Sequence, residues 1–276
     1  MSPLLESPPV REPARIVSLV PSLTEALFAL GLGERVVGVT DWCVHPADAV
    51  AGLPKVGGTK DADVEAIVRL APELVIANRE ENTRRVVRAL DARGIDVWVT
   101  YPRTVLEGAR LLLEVARLGA DEAARRSIAL PVLATVEAAE KDRRRADVRR
   151  PRVFCPIWRD PWMAPSHDTY IHDMIELCGG ENVTAQLAPA GSGRRRADER
   201  YPKLDLDELV ALAPEVVWLP DEPYAFGPAD ARELAALDLP AARAGRIHLI
   251  DGTWVSWYGP RIGLAIRSLG QLLADR

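Results

Sequence analysis

The sequence predicts an α/β protein of two duplicated lobes, each with a parallel sheet, joined by a helical segment. Three observations carry that prediction. The first is a repeat: Asp63–Ala77 (DVEAIVRLAPELVIA) returns as Asp205–Leu219 (DLDELVALAPEVVWL), with Leu70-Ala71-Pro72-Glu73 meeting Leu212-Ala213-Pro214-Glu215. Each copy reads as an aspartate N-cap, a short helix stopped by proline, then an apolar strand. The second is that further matches follow in the same order: Arg15-Ile16-Val17 with Arg152-Val153-Phe154, Gly33-Glu34 with Gly180-Glu181, and Gly94-Ile95 with Gly245-Arg246. Ordered matches of this kind point to duplication of a whole lobe. The third is the alternation of apolar strands with helices at short spacing in both halves, which implies parallel βα units with right-handed crossovers.

Taken in order, residues 1–14 carry Pro3, Pro8, Pro9 and Pro13 and no sustained apolar core, which reads as a disordered arm rather than a secretory signal. As written, the sequence is that of a protein that stays inside the cell, or of one whose leader has been removed. The first lobe, 15–103, has strands at Arg15–Val20, Arg35–Thr40, Leu74–Ala77 and Asp96–Thr100. Ser22-Leu23-Thr24-Glu25 has capping-box spacing before a helix that ends at Gly31. From 104 to 150 strand signals vanish. A helix to Leu118 breaks at Gly119-Ala120, and Asp121 caps a longer one to about Arg145, which Pro131 kinks without ending. The basic run Arg143-Arg144-Arg145 suits a helix C-terminus. The second lobe, 151–276, has strands at Arg152–Ile157, Val216–Leu219 and Ile247–Ile250, and helices at Asp168–Leu177 and Tyr258–Leu273. The Gly- and Arg-rich stretch Ala188–Arg200 reads as a mobile loop.

Composition narrows the function. A net charge of −5 leaves no basic footprint, so nucleic acid is not an expected partner. No apolar run approaches the roughly 18 residues of a membrane span. Cys43, Cys155 and Cys178 cannot all pair, and none lies in a CxxC. Enzyme signatures are weak. Gly52–Lys60 (GLPKVGGTK) lacks the lysine of a phosphate loop after its second glycine and follows no strand. Cys43-x-His45 holds two donors of a metal site, but four histidines with none at i, i+4 beside a Glu do not complete one. His167 and His172 flank a helix start, as caps or core-edge residues. Glu80 and Glu81 have acid–base chemistry available, yet adjacent carboxylates in a polar turn are ordinarily solvated. No metal site, resident cofactor or catalytic group is expected.

In open parallel sheets, ligands gather at the carboxyl ends of strands. Aromatics crowd those loops although they make up only 5% of the chain: Trp42, Trp158, Trp162, Tyr224, Phe226, Trp254, Trp257 and Tyr258. The expected ligand-binding set is Trp42, Arg79, Glu80, Trp158, Trp162, Tyr224, Trp254, Trp257 and Tyr258. The competing reading is that some of these rings wedge loops onto the core.

The segments RIVSLVPSLTEALFALGLGERVVGVT, VGGTKDADVEAIVRLAPELVIA, CGGENV, LDLDELVALAPEVVW and DGTWVSWYGPRI resemble the class III periplasmic binding proteins. These are ABC transporter receptors for vitamin B12, haem and iron–siderophore complexes. The resemblance covers about residues 15–273 and is closest to the vitamin B12 (cobalamin) receptor branch. It implies two α/β lobes bridged by a long rigid helix, placed here at about Asp121–Arg145, and a shallow cleft between the lobes. It implies a corrinoid ligand delivered to an ABC permease, with an iron–siderophore or haem as the alternative. It also implies that Glu65 and Asp207 dock onto arginines of that permease. Each of these acids also lies in the first turn of a helix, where the dipole alone favours a carboxylate. The sequence departs from the family in three ways. No export leader is visible. The partner that a cysteine like Cys178 has in the B12 receptors falls at Gly270. Arg79-Glu80-Glu81-Asn82 and Trp158-Arg159-Asp160-Pro161-Trp162 do not map onto a B12 pocket. A cytoplasmic enzyme or chaperone acting on a metal chelate through Glu80, Glu81 or His45 is the reading from a different class.

Overall fold

In the computed structural model, residues 5, 7–145, 149–187 and 200–274 are described. Most of the stretch read as a mobile loop, 188–199, lies outside them. The chain divides into two compact units. One comprises 1–102, 106–134 and 258–260; the other comprises 103–105, 135–257 and 261–276.

Unit 1 is built on strands β1 (Ile16–Ser18), β2 (Val36–Val39), β3 (Leu74–Asn78) and β4 (Val97–Thr100), ordered β2-β1-β3-β4 and all parallel. Helices α1 (Pro21–Ala29), α2 (Ala47–Val50), α3 (Val64–Arg69) and α4 (Arg84–Asp91) connect them, and α5 (Val105–Ala116) follows. Its core packs the strand residues Val17, Val75 and Ala77, with Leu19 just beyond β1, against Ile67, Val86 and Leu90 of the helices. Such near-continuous apolar strands are what a parallel sheet covered on both faces requires. Helix α1 does not start as the sequence suggests. Val20 is its N-cap without a side-chain bond and Pro21 opens it. Ser22 is buried instead, and its Oγ has no partner among the described residues. Proline at the first helical position wins because its fixed φ suits that turn and its missing N–H costs nothing there.

The proline-rich arm, expected to be disordered, lies against the sheet where it is described. Leu5 donates to Val97 O at 3.0 Å and accepts from Val99 N at 3.2 Å, which caps the open edge of β4.

Asp121 caps the segment α6 (Glu122–Ala124), accepting from Ala124 N at 2.6 Å. A π turn at Arg125–Ala129 leads into α7 (Leu130–Arg145). Pro131 is therefore accommodated as expected without ending the helix, and the wider turn just before it absorbs the backbone bond that proline cannot make. The division between the units falls inside α7, between Ala134 and Thr135.

Unit 2 contains β5 (Arg152–Phe154), β6 (Trp162–Met163), α8 (Tyr170–Leu177), β7 (Glu181–Asn182), β8 (Lys203–Leu204), α9 (Leu206–Leu212), β9 (Val216–Pro220), α10 (Pro228–Ala235), α11 (Pro240–Arg243), β10 (Ile247–Ile250), α12 (Thr253–Ser256) and α13 (Ile262–Ala274). Its main sheet is parallel and ordered β10-β9-β5-β7. Read from the other edge this is β7-β5-β9-β10, the order of unit 1 strand for strand. The closing helix expected from Tyr258 begins only at Ile262, because Gly259 (φ +132°) and Pro260 interrupt it. The short strand β7, the counterpart of β2, carries too few residues to show as a strand in sequence.

The repeat is reproduced in detail. Ala71 and Ala213, each preceding the repeat proline, both stand at φ +45°. Arg15 Nη2 donates to Leu70 O at 2.6 Å, and Arg152 Nη2 donates to Leu212 O at 2.8 Å. Each arginine thus satisfies an end carbonyl of its repeat helix from the neighbouring strand. Asp63 accepts from Glu65 N and Ala66 N, and Asp205 forms a complete capping box with Glu208.

Candidate ligand-binding site

In unit 1 the carboxyl ends of β2 and β3 are built on buried polar residues. After β2 the chain turns at Thr40–Cys43, with Cys43 N donating to Thr40 O at 3.1 Å. The Cys43 thiol is wholly buried, held by Thr24 Oγ1 and Thr40 Oγ1, each at 3.1 Å. Burial raises its pKa, and the buried thiol anchors the turn. The turn pushes the neighbouring Trp42 outward, leaving it 66% exposed. An indole this exposed gains little from the core and is available to a flat partner. The stretch considered as a phosphate loop pairs with the end of β2 instead, through the Val39–Lys55 bridge.

After β3, two buried asparagines set the turn. Asn78 Oδ1 accepts from Glu80 N at 2.8 Å and from Glu81 N at 3.3 Å. Asn82 Oδ1 accepts from Asn78 N at 2.7 Å, and its amide donates to Leu19 O and Thr59 O. With the backbone fixed, Arg79 projects with its guanidinium 4.9 Å from the centroid of Tyr101, while Glu80 is half-buried. Glu81 accepts from Tyr258 Oη at 2.9 Å. Tyr258 is only 7% exposed, so its ring packs rather than presenting a face.

In unit 2 the segment after β5 closes on itself as a small hairpin. Ile157 N donates to Met163 O at 2.8 Å and Met163 N to Trp158 O at 3.0 Å, and β6 pairs antiparallel with β8. This hairpin separates its two tryptophans. Trp158 is 46% exposed and meets Tyr224 edge-on at 5.6 Å between centroids. Trp162 is 7% exposed, stacked on Phe226 at 5.6 Å and 6°, inside the core with Phe154. Expected as a ligand contact, Trp162 is a core residue, because alternation along β6 turns it inward. Arg159, at the hairpin tip, lies over Trp162 and is gripped by Asp230 and Glu233 of α10.

The last loops of unit 2 carry acids. Asp221 accepts from Gly252 N at 2.7 Å, and Asp251 accepts from Thr253 N at 2.9 Å and from Thr253 Oγ1 at 2.6 Å. Glu222 accepts from Ser256 Oγ at 2.8 Å, and burial, helped by Asp221 and Asp251, raises its pKa. Trp254 is half-exposed, whereas Trp257 is 7% exposed, with Arg261 over its ring and its carbonyl taking a bond from Tyr170 Oη. The structure therefore leaves Trp42, Trp158, Trp254, Tyr224, Arg79 and Glu80 accessible, and packs Trp162, Trp257 and Tyr258. Asn78, Asn82, Tyr101 and Glu222 were not among the expected site residues. The bracket Asn78-x-x-x-Asn82 around a charged turn was their one visible signal.

Glu65 and Asp207 are exposed in the first turns of α3 and α9, at equivalent stations of the repeat. Glu65 pairs with Arg93. Among the described residues no group of three His, Cys, Asp or Glu side chains could hold a metal ion. Cys178 is free, and its Sγ lies 3.9 Å from Ile266 O on α13.

Two parallel sheets of one repeated order, with polar and aromatic loops at their strand ends, define a duplicated α/β protein. The chain belongs to the periplasmic binding protein family, whose model matches residues 16–253. The vitamin B12-binding protein of Photorhabdus laumondii is 26% identical over 270 residues, covering 95% of this chain and 89% of that protein. Among solved structures, the periplasmic haem-binding protein RhuT from Roseiflexus sp. RS-1, in apo form, superposes with a TM-score of 0.77 at 28% identity, covering 95% and 98% of the two chains. The periplasmic vitamin B12-binding protein BtuF of Vibrio cholerae gives 0.78 at 21% identity, covering 95% and 97%. The fold is that of the class III members of the family.

Proposed function

We propose that the protein is a solute receptor for a metal chelate, a corrinoid in first place, and that it hands this ligand to an ABC importer. The observation that carries the reading is that each unit exposes an indole beyond a strand end, Trp42 next to the buried Cys43 in one and Trp158 against Tyr224 in the other. A macrocycle laid on such a ring buries apolar area at roughly 25 cal/mol per Å². The names of the relatives support the ligand class, since one is a vitamin B12-binding protein and another binds haem.

Charge favours the corrinoid. The strand-end loops of unit 2 hold four acids, Asp160, Asp221, Glu222 and Asp251, near two cations: Arg159, shared by Asp160, Asp230 and Glu233, and Arg261, 3.8 Å from Asp251. Carboxylates accept hydrogen bonds from the side-chain amides of a corrin and repel the propionates of haem. Haem remains the second reading, supported by the 28% identity to the Roseiflexus protein. Titration with cyanocobalamin, haemin and a ferric siderophore, followed by tryptophan emission, ranks the three. Saturable quenching by cyanocobalamin at micromolar concentration is expected. Tighter binding of haemin would replace the corrinoid reading, and quenching by none of the three would remove the ligand class.

A further inference from the structure

Unit 1 has a concavity along the edge of its sheet, which meets the strand-end turn at Asn78, Arg79, Asn82 and Tyr101. A groove of about 910 Å³ is lined by β4, α4, α5 and the arm residues Leu5, Ser7 and Pro8. Its charge is opposite to that of the molecule. The net charge of the chain is −5, yet among the described residues the groove has five arginines against two glutamates and no lysine or aspartate. Two of those arginines are occupied: Arg117 pairs with Glu114 at 2.8 Å and Arg79 lies over Tyr101. Arg84, Arg88 and Arg110 make no ion pair among the described residues.

Of these three cations, Arg88 stands in the last turn of its helix, where a positive charge is favoured, whereas Arg84 stands where its helix gains nothing from it. Arg84 opens α4, an eight-residue helix whose first turn contains no acid, so a positive side chain adds to the positive pole of the helix. Arg88 stands four residues on, and like charges at that spacing repel. Arg110 comes from α5 into the same groove, against a wall that includes Val87 and Leu111, both nearly dry. Apolar walls raise the strength of every charge interaction beside them. A guanidinium fork matches carboxylate and phosphate oxygens two at a time.

We propose that this groove binds a small polyanion carrying several phosphate or carboxylate groups, with Arg84, Arg88 and Arg110 as its oxyanion partners. The inference does not rest on the metal-chelate reading, and its test is independent of that ligand. Calorimetric titration of the full chain with inorganic tripolyphosphate and with citrate should give saturable one-to-one binding of at least one probe. The stronger of the two assigns the chemistry as phosphate or carboxylate. Binding should weaken as salt is raised. The double variant Arg88→Gln/Arg110→Gln should lose affinity tenfold or more while keeping its melting temperature and its cyanocobalamin response. Arg85→Gln, an exposed neighbour outside the groove, should bind like the parent protein. Absence of saturable heat with both probes, or an equal loss in Arg85→Gln, would overturn the proposal.

Discussion

At the scale of single residues, burial decides which of the aromatic side chains are available to a ligand. Trp42 and Trp162 make the clearest contrast. Trp42→Ala should leave stability within about 0.5 kcal/mol, as at other exposed positions, and weaken ligand binding by about 1–3 kcal/mol, the scale of a lost aromatic contact. Trp162→Ala should cost about 3–5 kcal/mol of stability by opening a cavity beside Phe226 and Phe154. Urea midpoints and ligand titrations on both variants separate the two roles. Equal ligand affinity in Trp42→Ala and the parent would remove the indole from the site. Glu222 supplies a pH test. Its pKa is raised in the folded protein by burial, so between its unfolded and folded values the native state holds a proton that the unfolded chain has released. Stability should therefore fall as pH rises through that window from about 4.5. Glu222→Gln keeps an acceptor for Ser256 and should flatten the fall, leaving the variant more stable than the parent at neutral pH. Thermal melts from pH 4 to 7 check it, and parallel curves would place the proton elsewhere. The sequence located the strand-end loops but not which rings face outward. A tryptophan at a strand end has the same local pattern whether a hairpin turns it in or out, and only the pairing of β6 with distant β8 decides.

At the scale of elements, the repeat was the most legible feature because its signals are local. An aspartate cap, an Ala-Pro stop and an apolar run act within a dozen residues, and both copies fold as read. What the sequence concealed was the backbone of the stop. Ala71 and Ala213 adopt φ +45°, a left-handed conformation that costs alanine roughly 1–2 kcal/mol. Glycine tolerates it, at an entropic cost of roughly 0.5–1 kcal/mol in the unfolded chain. Ala71→Gly and Ala213→Gly should therefore each stabilise the protein by up to about 1 kcal/mol, and additively, since they lie in separate units. Denaturant midpoints of the two single variants and the double variant measure this. Destabilisation of both would mean that contacts of the methyl groups outweigh the strain. The capping box misplaced at Ser22 failed for the converse reason, since Pro21 offered a stronger start one residue earlier. The edge pairing of Leu5 was hidden because a single backbone bridge leaves no side-chain pattern.

At the scale of the whole molecule, duplication has a functional consequence. Two units with the same strand order carry the same helix, α3 or α9, and each presents an exposed acid in its first turn, Glu65 or Asp207. A helix dipole rewards such a carboxylate by about 0.3–1 kcal/mol, and that alone explains an acid at either place. Duplication carries that station into both copies, so its recurrence suits either role. We propose that the pair forms the contact through which the receptor docks on its importer, one acid per unit against arginines of the permease. Reversal of both, Glu65→Lys with Asp207→Lys, separates the two explanations. The dipole role predicts a stability loss of about 2 kcal/mol or less for the pair and no change in docking. The docking role predicts the same small stability loss together with abolished association, because like-charge contact at an interface costs several kcal/mol. Ligand affinity should be unchanged, since neither acid belongs to the strand-end loops. The Glu65–Arg93 pair adds a control: Arg93→Ala frees Glu65 and should leave docking intact or strengthen it. Association with the ABC importer of the same organism, reconstituted in proteoliposomes, reads the result. Docking by the double-lysine variant at parental affinity would reduce both acids to helix-terminal charges and leave the importer contact to other residues.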